Sequence, residues 1–376
     1  MKHRPLLRSL LAVALLAPLA AGAETEIFGE LDWGWRTTFD DEFTPANYSN
    51  HKLNLGARVR MDEGVRLEAE IQHFSTVRDA NGDRERTRIY DGKGRVSNFY
   101  EDPDAVRLRA LRAMWDFVPG GSIGLGDAFY SIGTPHNADA WAENEAIMSE
   151  RGIRGAIFEL SGFTGGFGIP FDPYAEEEIR NKSFTVYGQY DIPVLDNRRR
   201  SLSVVPAVEI NFNNGRTRVW NLGAEVHYAD SWKGLPCTVD MAAGYLDVRT
   251  KPVWTMLFEP SLSTGDFSLG GTFYYATLNS SDASGKQAEL DELDIPVQMF
   301  LGVEPMVRLH RKFALGLPVL WNNPMVDVDD DEWTTVALAG RFWPTDGASS
   351  VTALRYHKIH SGPDFWEFAW SLGFEF

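Results

Sequence analysis

Side chains of alternating character recur along this chain, and that period of two constrains the fold more than any other feature. Near the end, Trp366, Phe368, Trp370, Leu372, Phe374 and Phe376 share one parity, while Glu367, Ala369, Ser371, Gly373 and Glu375 share the other. Successive side chains of a strand point to opposite faces, so this segment has one large apolar face and one small or charged face. A helix would scatter the same aromatics around its circumference. Further upstream, Ile27, Gly29, Leu31, Trp33 and Trp35 alternate with Phe28, Glu30, Asp32, Gly34 and Arg36. Two more segments repeat the pattern: Leu53, Leu55, Ala57, Val59 and Met61 against Asn54, Gly56, Arg58 and Arg60, then Val65, Leu67, Ala69 and Ile71 against Arg66, Glu68, Glu70 and Gln72.

Charged groups toward water and aliphatics toward lipid are what a transmembrane antiparallel β-barrel requires, and closure leaves no unpaired backbone in hydrocarbon. After these first three strands, the pattern predicts strands near 106–117, 122–131, 152–161, 164–170, 183–193, 202–212, 218–228, 237–248, 253–261, 267–278, 293–309, 313–321, 333–343, 350–359 and 365–376. The best count is about 18, within a range of roughly 14 to 18. Connections after even strands are mostly short, as at Asp62-Glu63-Gly64, Pro119-Gly120-Gly121, Ser263-Thr264-Gly265 and Pro344-Thr345-Asp346-Gly347. The long ones, at 39–50, 78–105, 132–151, 171–182, 279–292 and 322–332, all follow odd strands. Outer-membrane barrels segregate their connections in this way, with short periplasmic turns and long outer loops, which puts both termini on the periplasmic side. Against the pattern stand Pro206, Pro305 and Pro318 inside expected strands, which call for bulges, and Arg112, whose parity requires a bulge after Ala110.

The compartment follows from residues 1–23. Lys2, Arg4 and Arg8 precede an apolar stretch from Leu10 to Leu19, and Ala21-Gly22-Ala23 fits a small-x-small cleavage site. This predicts a signal peptide cut before Glu24 and a single barrel domain over 24–376. No later stretch is apolar enough for a membrane-spanning helix. The mean hydropathy of −0.26 is compatible with a barrel, whose strands average polar and apolar faces. The net charge of −17 argues against a nucleic-acid partner. One cysteine, Cys237, cannot form a disulfide within the chain and reads as a packing residue.

With its signal peptide, alternating strands and aromatic last strand, the chain resembles bacterial outer-membrane barrel proteins of the porin-like kind. The resemblance implies that Leu372, Phe374 and Phe376 form the C-terminal signal read by the barrel-assembly machinery. It also implies an outer-membrane location in a Gram-negative bacterium, contact with membrane lipid and lipopolysaccharide, and passive diffusion of small hydrophilic solutes. In general porins the third outer loop folds inward. By position, the segment 137–148, with Asp139, Trp141, Glu143 and Glu145, resembles such a constriction and reads as a short helix.

Catalytic chemistry finds little support. None of the eight histidines sits in a hydrolase motif and no G-x-S-x-G occurs, so an enzyme is not expected; His357 and His360 near Asp364 read as loop or interfacial groups. No cofactor is expected. The acidic run with Asp327, Asp329, Asp330 and Asp331, like Asp79 and Asp83, lacks the EF-hand pattern and reads as a solvated outer segment that bridges Ca²⁺ or Mg²⁺ only loosely.

The informative constellation is the lumen. Expected pore-lining groups are Arg58, Arg60, Arg66, Arg107, Arg109 and Arg154, with Glu30, Asp32, Glu68 and Glu70 as acidic partners. Later strands add Glu209, Glu225, Asp240, Glu304, Arg308, Arg341, Arg355 and Glu367. Such a set is either a ladder of pairs that stiffens the wall or an arginine stripe that favours anions. The expected function is a porin-like channel for passive diffusion of hydrophilic solutes, anions among them if the arginine stripe prevails. The alternatives are a structural or surface-display barrel with a plugged lumen, and a soluble periplasmic glycan-binding β-sandwich.

Overall fold

In the computed structural model the described residues are 24–39, 45–61, 64–77, 87–90, 96–99, 106–132, 148–171, 183–197, 199–213, 217–232, 234–248, 251–277, 299–323, 332–360 and 362–376. The expected signal peptide at 1–23 lies outside them.

The wall begins with β1 (Glu24–Phe39), β2 (Pro45–Arg60) and β3 (Val65–Val77). A separate small hairpin, β4 (Thr87–Tyr90) with β5 (Val96–Phe99), lies in the following connection, with β4 beside β1 and β2. The wall resumes with β6 (Val106–Val118), β7 (Gly121–Ile132), β8 (Met148–Leu160), β9 (Phe163–Phe171), β10 (Ser183–Tyr190), β11 (Ile192–Asp196), β12 (Ser201–Asn213) and β13 (Thr217–Trp232). It continues with β14 (Leu235–Val248), β15 (Lys251–Thr264), β16 (Phe267–Ala276), β17 (Met299–His310), β18 (Phe313–Gly316) and β19 (Val319–Asn323). It ends with β20 (Trp333–Thr345), β21 (Ala348–Ile359) and β22 (Phe365–Glu375).

β10 and β11 both pair with β12, and β18 and β19 both pair with β17 and β20, so each duo is one interrupted strand. The result is a closed antiparallel barrel of 18 strands. Closure joins β1 to β22 from Phe39↔Trp366 to Glu30↔Glu375. One step beyond, Phe376 and Gly29 exchange both backbone hydrogen bonds, at 2.9 and 3.1 Å. Hydrocarbon offers the backbone no partner, so this last pair matters as much as any other in the wall. Trp33 on Trp370 and Trp35 on Phe368 stack edge to face along the outside of the same seam.

The two faces follow the sequence pattern. Leu125, Trp115, Trp254, Leu338 and Phe376 are among the exposed large apolar groups of the outer face, whereas Glu367, Arg355, Glu259 and Gln72 are buried inside. Turns at one end are short, as at Pro119-Gly120, where Gly120 takes φ 74, a left-handed conformation that favours glycine.

Each proline that stood against the pattern lies at an interruption of the ladder. Pro206 faces the break between β10 and β11, where pairing with β12 jumps from Gln189↔Ala207 to Ile192↔Val204. Pro305 and Pro318 flank the other break, where pairing jumps from Val303↔Val319 to Met306↔Gly316. A missing N–H is tolerated where no ladder bond is made. The bulge demanded by Arg112 is present, one residue earlier than expected. Register passes from Glu70↔Ala110 to Ile71↔Leu108 and leaves Arg109 as the extra residue.

Candidate functional site: the inner wall of the barrel

Alternation delivers a continuous polar surface to the inner face of β1, β2, β3 and β6. Arg58 bridges Glu26 on β1 and Glu68 on β3, both at 2.9 Å. Arg112 reaches Glu68 from the other side at 2.8 Å. Nearer the short turns, Arg66 holds Asp116 at 2.9 Å, Ser122 at 3.2 Å and Glu159 at 3.4 Å, tying β3, β6, β7 and β8 together. Toward the other end, Arg109 binds Glu70 at 2.6 Å, and Lys52 and Asn54 bind Glu30 at 2.5 and 2.6 Å. These arginines point inward yet keep exposed side chains, 27% for Arg58, 22% for Arg66 and 28% for Arg112. The space in front of them therefore admits water.

Other parts of the inner face are more tightly packed. Arg355 and Glu367 form a pair with both side chains 4% exposed, and Arg36 approaches the same carboxylate at 3.8 Å. Arg341 grips Glu304 with one guanidinium nitrogen 3.0 Å from each carboxylate oxygen. His227, by contrast about as open as the arginine wall, lies between Asp240 at 2.9 Å and Glu225 at 3.2 Å. Glu259 accepts from Thr272 at 3.1 Å, and Glu209 is buried beside Asn211 and Asn221. Inward apolar groups form a cluster that includes Tyr130, Ile153, Ile157, Tyr187, Leu246, Tyr274 and Phe300. Tyr130 and Tyr187 stack within it at 4.0 Å. Inner aromatics of this kind sit on the same parity as the charged groups, and sequence alternation alone did not single them out.

The structure brings together Arg58, Arg66, Arg109, Glu30, Glu68 and Glu70 as described above, and Asp32 is buried beside them on β1. Arg60 takes its place at the short-turn end opposite Glu24 and Arg66 and is exposed. Arg107 stands opposite Gln72 in register, and its side chain is outside the described part. Arg154, expected in the lumen, alternates with the inward Ile153 and Ile157 and so lies on the opposite face, paired with Asp127 at 2.6 Å. Leu372, Phe374 and the terminal Phe376 lie on the outer face at the closing seam. The expected constriction residues Asp139, Trp141, Glu143 and Glu145 lie outside the described residues, as do Asp79, Asp83, Asp327, Asp329, Asp330 and Asp331. Arg112, Lys52, Asp116 and Glu159 complete the charged wall. Arg112 carried a signal in its broken parity, and Glu159 became recognisable only through its contact with Arg66 across the strands.

No family model and no curated protein matches this sequence. Solved structures do resemble the fold. A BenF-like porin from Pseudomonas fluorescens Pf-5 superposes with a TM-score of 0.58 at 9% identity, covering 94% of this chain and 98% of that one. The outer membrane protein OpdK of Pseudomonas aeruginosa gives 0.56 at 8% identity, over 94% and 98%. OprB of Pseudomonas putida gives 0.52 at 11% identity, over 97% and 96%. In architecture the chain is thus an 18-strand barrel of the kind seen in outer-membrane porins.

Proposed function

We propose that this barrel is a porin-type channel of the Gram-negative outer membrane, with its short turns in the periplasm, through which small hydrophilic solutes diffuse. The observation that carries this reading is the inward yet partly exposed arginine wall, Arg58, Arg66 and Arg112, which lines a space open to water. Likeness to porin barrels over nearly the whole chain supports the same reading. On the wall nearest β1 to β6 a passing anion competes with the wall's own carboxylates for the guanidinium groups. We infer a mild preference for anions, with Arg58, Arg107 and Arg109 as contributors. Residues 1–23 direct export and are then removed, assembly reads Leu372, Phe374 and Phe376, and loose Ca²⁺ or Mg²⁺ at the acidic outer segments links the rim to lipopolysaccharide.

Liposome swelling tests the channel. Vesicles containing the folded barrel should swell in iso-osmotic arabinose or gluconate at rates that fall with solute size. Vesicles that stay impermeable to both would remove the reading. That outcome would favour a second one, a structural barrel with a filled lumen, for which the apolar cluster around Tyr274 and Phe300 speaks.

A further inference from the structure

The wall is interrupted between β6 and β7. Their ladder begins at Val118↔Gly121 by the turn and reaches Arg112↔Gly126; among the described residues no pair follows, although β6 extends to Val106 and β7 to Ile132. On either side the sheet is intact, with β3 paired to β6 as far as His73↔Val106 and β7 to β8 as far as Ile132↔Met148. At the point of divergence Gly126 takes φ 140, and a Cβ there would stand 2.2 Å from the Leu111 carbonyl oxygen. Glycine is what lets β7 turn away from β6. β7 and β13 are not neighbours in the wall, yet Cα atoms of the two strands come within 8 Å of each other.

Beyond the ladder the two strands meet through side chains instead. Asp127 and Phe129 have the lipid-side parity of Ile123 and Leu125, yet Asp127 is only 1% exposed. Arg109 covers this face from β6, its guanidinium carbon 5.1 Å from the centre of the Phe129 ring. The Leu111 amide donates to the Asp127 carboxylate at 3.0 Å, where an intact ladder would offer a carbonyl. Arg154 donates to the same carboxylate at 2.6 and 3.1 Å. Its side chain is 41% exposed on the face turned to lipid, where an arginine is costly.

We propose that the β6–β7 opening is a lateral passage between lumen and bilayer for lipophilic carboxylates, held shut by Asp127. Backbone edges in hydrocarbon are normally sealed by other backbone, and that seal cannot be exchanged for a ligand. Here the seal is a carboxylate, and a ligand carboxylate presents the same acceptor to the Leu111 amide and to Arg154. Arg109, against the Phe129 ring, marks the lumen side of the passage and Arg154 the lipid side. Leu111 and Leu125, 48% and 69% exposed, border it toward the membrane and suit an apolar tail. The proposal rests on the barrel lying in a membrane but not on conduction along its axis.

A reversible bridge provides the test. In a Cys237→Ser background, Leu111→Cys with Phe129→Cys is joined by a bifunctional methanethiosulfonate, and Trp115→Cys with Ile123→Cys serves as a bridge inside the intact ladder. Uptake of radiolabelled dodecanoate is measured in Gram-negative cells whose own uptake route is deleted, alongside single-channel conductance of the same proteins. The bridge across the opening should abolish dodecanoate uptake, reduction should restore it in the same folded molecules, and the control bridge should leave it unchanged. Uptake that survives the first bridge, falls equally with the control, or is absent from the reduced form would overturn the proposal. Bridge-sensitive uptake in a barrel that never conducts ions would sustain the passage while removing the axial channel.

Discussion

Single residues are most tightly constrained where the barrel closes. A Cβ at Gly29 would lie 2.5 Å from the Asn54 carbonyl oxygen and 2.9 Å from the Phe376 ring, so the closing pair leaves no room for one. Gly29→Ala should therefore lower the fraction that migrates as folded, heat-modifiable protein on a denaturing gel, while Gly270→Ala, with nothing near its Cβ, should not. The Arg355–Glu367 pair is a different kind of constraint. Removing one partner of a buried ion pair costs roughly 3–5 kcal/mol, because the other charge is left without compensation. Arg355→Ala should fall toward the lower end, since Arg36 stands 3.8 Å from the same carboxylate, and the shift of the urea midpoint reads it. By contrast, partly exposed lumen pairs such as Arg58–Glu26 contribute at most about 1 kcal/mol each and matter through their charge. Changing Arg107 and Arg109 together to Gln should accordingly move the reversal potential in a salt gradient toward cation preference, since Glu70 loses the guanidinium 2.6 Å away. An unchanged potential would make these arginines struts of the wall.

Among the elements, the last strand has two tasks, pairing with β21 inside the sheet and with β1 across the closure. Deleting Phe376 removes its pair with Gly29 and the terminal aromatic together. The expected outcome is accumulation in the periplasm and proteolysis, with export across the inner membrane unchanged; fractionation and surface protease accessibility measure it. This strand was legible in the sequence because its outer face is wholly apolar and its inner face small or charged. β10 with β11 and β18 with β19 each read as one strand in the sequence, at 183–193 and 313–321, and the local pattern does not show that each ladder is interrupted at a proline. β4 and β5 lie in a connection with no sustained alternation and were not recognised. Arg154 misled for a related reason. A charge on a barrel strand reads as a lumen group, and only the positions of Ile153 and Ile157 show which face of β8 is inside.

For the whole molecule, alternation and the segregation of long and short connections made the closed barrel and its strand number readable, because lipid and water impose opposite demands on successive side chains. What the lumen does was less readable. Contacts such as Arg66 with Glu159, or Tyr130 with Tyr187, join residues far apart in sequence, and parity says that a side chain points inward without saying what it meets. The inner surface consequently combines a partly exposed charged wall with apolar packing, and a continuous aqueous path beside that packing is the central claim. Single-channel recording of the detergent-purified, heat-modifiable barrel in planar bilayers tests it most directly. Uniform, stable steps of current in KCl are predicted, whereas a correctly folded barrel that inserts and stays silent would contradict the account.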